Sequence, residues 1–222
     1  MPGPELPERL DWAEALRYMG CFEAPDPATQ ALLESGQNLL FAAAQPRGWW
    51  VKLPLEAAPP DLRLDSSDIQ KHLEGCTGFV LLGATLGAGV DALLRRLSVT
   101  DLAQAAVADA LASVLADRMA AQMESAARLK MEQENLYCTG RYSPGYGDWP
   151  LEAQAALCRL LDSQRRFGAG CSSTFLLTPR KTVTALMGVS PRPVKGHLAG
   201  CGHCALKDTC RYRKRGMTCA DL

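Results

Sequence analysis

The chain has 222 residues, 47% hydrophobic and 22% charged, which suits a globular protein with a full core. Lysine plus arginine balances aspartate plus glutamate at 24 each, so no global field draws it to nucleic acid or to an anionic membrane. The longest uncharged run, residues 75–90, falls short of the ~20 residues of a spanning helix, and the proline-rich, acidic start is unlike an export signal, so a cytoplasmic protein is expected.

Taken in order, the elements begin with a helix over 11–18, where Leu10, Ala13, Leu16 and Met19 share a side. A second helix is predicted over 28–44 and an alternating strand over 49–55, followed by the breaker Ala57-Ala58-Pro59-Pro60. Ser66-Ser67-Asp68 can cap a short helix that ends near Gly75. Residues 79–82 read as a buried strand, and 87–97 as a helix with Arg95 and Arg96 suited to its C-terminal end. Ser98 or Thr100 is the expected cap of the longest helix, 101–132, which is rich in alanine. Residues 140–150 form a loop. Asp148 is placed as the cap of a helix that has Pro150 in its first turn and runs to about Gln164. Two strands, 174–177 and 182–187, flank a turn at Pro179-Arg180-Lys181.

Helices and strands do not alternate as strict strand–helix–strand units. The expected class is therefore α+β, with a twisted, partly antiparallel sheet flanked by helices. Residues 1–195 are expected to form this domain and 196–222 a cysteine-rich, basic tail.

The most unusual stretch is Arg141-Tyr142-Ser143-Pro144-Gly145-Tyr146-Gly147-Asp148. Its glycines let a backbone approach a ligand closely, and Pro144 stiffens that approach. Arg141 offers a planar fork for a carboxylate, while Tyr142 and Tyr146 offer flat faces to a ring. On composition alone, a rigid turn between helices explains the stretch equally well.

Arg141 to Tyr146 resembles the Arg-x-(Ala/Ser)-Pro-Gly-Tyr loop of the activation domain of cobalamin-dependent methionine synthase. Further pieces agree in order: Leu115-Ala116-Asp117-Arg118-Met119-Ala120 with the family's long helix, and Pro179-Arg180-Lys181-Thr182-Val183-Thr184-Ala185-Leu186 with its late strand. Asp11-Trp12 is similar to an N-terminal Asp-Trp pair, and the stretch from Gly75-Cys76 to Asp91 to the strand and turn of stand-alone members.

The resemblance implies an S-adenosylmethionine site at Asp11, Glu124, Arg141, Tyr142, Ser143, Gly145 and Tyr146. The family's helix glutamate aligns with Ala121, nearly one turn before Glu124, and a late-strand tyrosine aligns with Met187. By the same resemblance the chain is a non-autonomous component of methionine synthase activity. It would support reductive methylation of cob(II)alamin on a separate corrinoid protein, with a flavodoxin- or ferredoxin-like electron donor. Such a chain is too short to hold the folate, homocysteine and cobalamin modules itself.

The alternative reading rests on the tail. Nine cysteines without an export signal argue against a disulfide framework. Cys201, Cys204, Cys210 and Cys219 have a spacing that can converge on an iron–sulfur cluster or zinc, or can simply be a reduced-thiol end. With the basic run Arg211-Tyr212-Arg213-Lys214-Arg215 they would make an interaction module for nucleic acid or a partner protein, although a solvated tail fits the neutral whole better. The run from Gly83 to Gly89 lacks the spacing and lysine of a phosphate loop, and strand–turn–helix packing accounts for it.

Overall fold

The computed structural model describes residues 3–194 and 208–209. The thiols of Cys201, Cys204, Cys210 and Cys219, and with them the expected metal or cluster site, lie outside the described residues.

Two aspartates start the first helices. α1 (Trp12–Tyr18) and α2 (Pro27–Ala43) follow Asp11 and Asp26, whose carboxylates accept from the backbone N–H of Glu14 at 3.1 Å and of Thr29 at 2.7 Å. These bonds satisfy donors that a first turn leaves open. β1 (Arg47–Pro54) leads through two single-turn 3-10 helices to α3 (Ser67–His72) and then to β2 (Gly78–Thr85).

α4 (Ala88–Thr100) and α5 (Leu102–Gln133) meet at Asp101, which is fully extended at φ −158°. Asp101, rather than Ser98 or Thr100, caps α5 by accepting from Gln104 N at 3.0 Å. The helix before it runs on to Thr100, so both hydroxyls donate back to carbonyls of their own helix, Arg95 O and Arg96 O. α5 has 32 residues and is therefore about 48 Å long.

The remaining elements are β3 (Tyr137–Cys138), α6 (Ala153–Leu161), α7 (Ser163–Phe167), β4 (Gly170–Cys171), β5 (Leu177–Thr178) and β6 (Thr182–Ser190). The expected helix to Gln164 is split because Asp162 turns left-handed at φ 50°. The expected strand over 174–177 is mostly turn. Phe175 has φ 64°, and the short β5 pairs with β4, not with β6.

The main sheet has the order β1-β2-β6-β3, and every neighbouring pair is antiparallel. Side chains alternate between two cores. Val80, Leu82 and Ala84 of β2, with Ala185, Met187 and Val189 of β6, pack against the layer of α1, α2, α4 and α5. Phe79 and Leu81 of β2, with Leu186 of β6, pack on the opposite face with residues of α3, α6 and α7. Both faces of β2 are covered, which is why its sequence is a continuous apolar run rather than an alternating one.

At Gly83 a Cβ would stand 2.5 Å from the Phe167 ring, so this position admits only glycine without movement. Alanines 108, 112, 116, 120 and 127 bring α5 close to the sheet and its neighbouring helices. Among the described residues, no helix is long and apolar enough to cross a membrane.

Candidate functional site

The bend at 139–149 is laid against the sheet before it presents anything outward. Tyr142 bridges to Leu186 of β6 through both backbone bonds, at 2.9 and 2.8 Å. The Ser143 hydroxyl donates to Thr184 O at 2.8 Å. Thr139 Oγ1 accepts from Gly188 N at 2.7 Å and lies 2.8 Å from His72 Nε2.

Gly145, at φ 91°, donates its N–H to Trp149 O at 2.8 Å, and Trp149 Nε1 donates to Leu62 O at 3.0 Å. Gly147, at φ 52°, passes so close that a Cβ would collide with Asp68 Oδ2 and Tyr142 Oη. Both positions need glycine for their backbone angles, and Gly147 needs it for space as well.

Asp148 does not cap α6, as the sequence suggested. Its carboxylate accepts from Ser67 N and Asp68 N, each at 2.9 Å, and so caps α3, while its own N–H donates to Asp68 Oδ2 at 3.2 Å. These backbone donors, Asp68 N first, hold its carboxyl below the usual carboxylate range. The bend is thus tied to α3 on one side and to β6 on the other.

Tyr142 also departs from expectation. The β6 pairing turns its ring inward, where it is 2% exposed and lies near His72 and Trp149. Burial, followed by the Asp68 and Asp148 charges, pushes its phenol up to about 12. It is a packing residue and offers no face to an incoming molecule. Tyr146 is 56% exposed and does offer one.

Arg141 leaves the bend toward α5. Its Nε lies 2.7 Å from Glu124 Oε2, and its Nη1 lies 3.1 Å from Asp117 Oδ1. Glu124 is shared, because its other oxygen accepts from Arg128 Nη2 at 2.8 Å and Nε at 2.9 Å. Arg128 in turn donates to Cys138 O and Thr139 O, the carbonyls that lead into the bend. Asp117, Ala121, Glu124 and Arg128 therefore form one stripe of α5 facing the bend, as spacings of four and three residues require.

α1 closes the third side. Glu14 has its carboxyl raised by burial first, then by the Asp117 and Asp11 charges, with Arg17 opposing. Asp11, one turn before Glu14, accepts from its N–H. Asp117 and Glu124 thus flank Arg141, and Asp117 is also the carboxylate that Glu14 of α1 feels most strongly.

Of the expected site residues, Arg141 and Glu124 come into direct contact, Asp11 caps α1 and faces Glu14 without contact to Arg141, and Gly145 and Tyr146 stand exposed on the bend. Ser143 shapes the bend through Thr184. Met187, which aligns with a family tyrosine, is fully buried in the α5-side core.

Glu14, Asp117 and Arg128 were not among the expected site residues. The seven-residue step from Asp117 to Glu124, two helical turns, carried the signal for Asp117. Of the other cysteines, expected to be packing groups, Cys158 is buried and Cys76, Cys138 and Cys171 are half-buried, whereas Cys21 is exposed on the surface after α1. Burial pushes Cys76 up to about 11, with neighbouring Cys138 adding to it, and burial also raises Cys138 and Cys171. No group of three or more histidine, cysteine, aspartate or glutamate side chains able to hold a metal ion occurs among the described residues.

The chain combines an antiparallel four-stranded sheet between two helical layers with one long helix and a bend bridged to β6, and this α+β fold is that of a methionine synthase reactivation domain. The chain is similar to the crystal structure of the MetH reactivation domain bound to AdoHcy, with a TM-score of 0.60 and 16% identity over 96% of this chain and 83% of that one. At that identity the likeness is one of fold. No family model and no curated protein sequence matches the chain.

Proposed function

We propose that the chain binds S-adenosylmethionine at the Arg141 cluster and acts as a reactivation module for a separate corrinoid protein. The observation that carries this reading is the guanidinium of Arg141, placed at the bend between a half-exposed Asp117 and a mostly buried Glu124. The fold likeness to a domain solved with AdoHcy supports it.

The residues fit an amino-acid end joined to a sulfonium. Arg141 offers a fork for the α-carboxylate once Asp117, half-exposed and solvated, yields its place. Asp11, Glu14 and the released Asp117 supply negative charge for the α-ammonium and the sulfonium. Glu124 holds Arg141 from behind through Nε and keeps the fork aimed. The N–H groups of Gly145 and Tyr146 are spent on Trp149 O and Ser143 O, so the bend's remaining contacts are carbonyls and the Tyr146 ring. S-adenosylmethionine supplies a methyl group on a good leaving group, for transfer to reduced cobalt on the partner. The chain's own task is orientation of the ligand and docking, with no general base required. A flavodoxin- or ferredoxin-like protein is the proposed electron donor.

Calorimetric titration with S-adenosylmethionine and with S-adenosylhomocysteine tests the reading. One site per chain is expected, weakened about tenfold or more by Arg141→Ala, with the melting temperature of the variant followed as a control. A wild-type chain that binds neither compound at millimolar concentration contradicts it.

A further inference from the structure

An open cleft of about 420 Å³ lies at the start of β1, lined by Pro46, Arg47, Gly48, Trp49, Arg165 and Arg166. It is separate from the Arg141 cluster, because that bend rests on β6 and β2 stands between β6 and β1. Three arginines line the cleft on a chain of zero net charge, two of them without a carboxylate partner among the described residues, and no carboxylate lines it.

Arg165 reaches back to Asp162 outside the cleft. Arg166 lies over the Trp49 ring, its guanidinium carbon 4.3 Å from the ring centroid. That stacking holds the fork in place without consuming its hydrogen-bond donors. The Arg47 side chain makes no hydrogen bond or ion pair among the described residues.

Convergent like charges repel unless an anion fills the space between them. A carboxylate has two oxygens and is served by one fork. A phosphate group has more and can accept from two or three forks at once. A sulfonium ligand would be repelled.

We infer that this cleft is a second binding site, for a small phosphate-bearing molecule, with Arg47 and Arg166 as its principal donors and Trp49 as its wall. The inference does not depend on the S-adenosylmethionine reading. Nucleic acid is the less favoured occupant, since the arginines sit in one bounded cleft on a neutral protein rather than along a track.

Titrating the full chain with pyrophosphate and, separately, with ADP at constant ionic strength tests it, with tryptophan fluorescence as the readout. A saturable change at one site per chain is expected, absent in Trp49→Phe. Arg47→Ala and Arg166→Ala should each weaken binding about tenfold or more. Arg95→Ala, which removes the same charge from another surface, should leave it unchanged. ADP binding more tightly than pyrophosphate assigns a nucleotide, and equal affinities assign a free phosphoanion; both support the site. The inference is overturned by a linear, non-saturating response, by equal losses in Arg47→Ala and Arg95→Ala, or by nucleic acid binding in the absence of binding to either small molecule. Arg47 is exposed at an edge strand, so its variant is expected to keep the fold if Arg166→Ala does not.

Discussion

Arg141 is held unevenly. Glu124 is mostly buried and also bound by Arg128, whereas Asp117 is half-exposed, so water and solutes compete for its side of the fork. Glu14 bears the cost of burial beside Asp117 and Asp11. Its folded-state pKa lies above the ordinary glutamate value for those reasons, so the ionised form destabilises the fold at neutral pH. Glu14→Gln is accordingly expected to raise the thermal midpoint at pH 7. The gain should vanish as pH falls below about 4.5, where the unfolded chain is protonated as well. The same substitution should weaken S-adenosylmethionine binding, a trade of function for stability that melting curves and titration can read together. Gly147→Ala puts a Cβ against Asp68 and Tyr142 at φ 52°, and a loss of about 1–3 kcal/mol in urea unfolding is expected. The motif from Arg141 to Tyr146 was legible in the sequence as a stiff bend with a free guanidinium. The inward turn of Tyr142 was not, because it follows from pairing with Leu186, forty-four residues away.

Short elements hold the bend, and they were the hardest to foresee. Asp148 looked like the cap of the helix that follows it, yet it caps α3 about eighty residues earlier in the chain. Local sequence gives an aspartate two residues before a proline the same appearance in either role. Asp148→Ala should lower the thermal midpoint through the lost cap and should loosen the bend, lowering ligand affinity as well. Because its backbone donors hold the Asp148 carboxyl below the ordinary aspartate value, this stability is present above that ordinary value and is lost as pH falls through the lower folded one. In Asp148→Ala that acid-side loss should be smaller, as acid titration of the unfolding midpoint can check. α5, by contrast, was readable nearly end to end from its alanine density and apolar spacing. Its polar stripe from Asp117 to Arg128 was not foreseen, since nothing local says which element faces it. β3 has two residues and no pattern to detect.

Across the whole molecule, two cores share one sheet, and β2 lies at the centre of both. Its eight residues are all buried, while β4 and β5 form a separate two-residue pairing near exposed Leu176. Hydrogen exchange should follow that difference, with amides of 78–85 exchanging last and those of 170–178 among the first. A reversal would mean that the sheet is not the stable heart of the fold. The α+β class and the antiparallel sheet could be expected from the order of elements. Strand order and the two-sided burial of β2 required the long-range register with β1 and β6. That register brings the N-terminal helix, the middle of α5 and the bend to one place, and the proposed activity depends on their meeting there. The most direct measurement is a crystal structure of the chain with S-adenosylhomocysteine. The ligand's α-carboxylate should lie within hydrogen-bond distance of Arg141, with Asp117 displaced and the ligand resting on Gly145 and Tyr146. A bound ligand that leaves the Arg141–Asp117 pair intact, or that sits on another face of the molecule, would contradict the account.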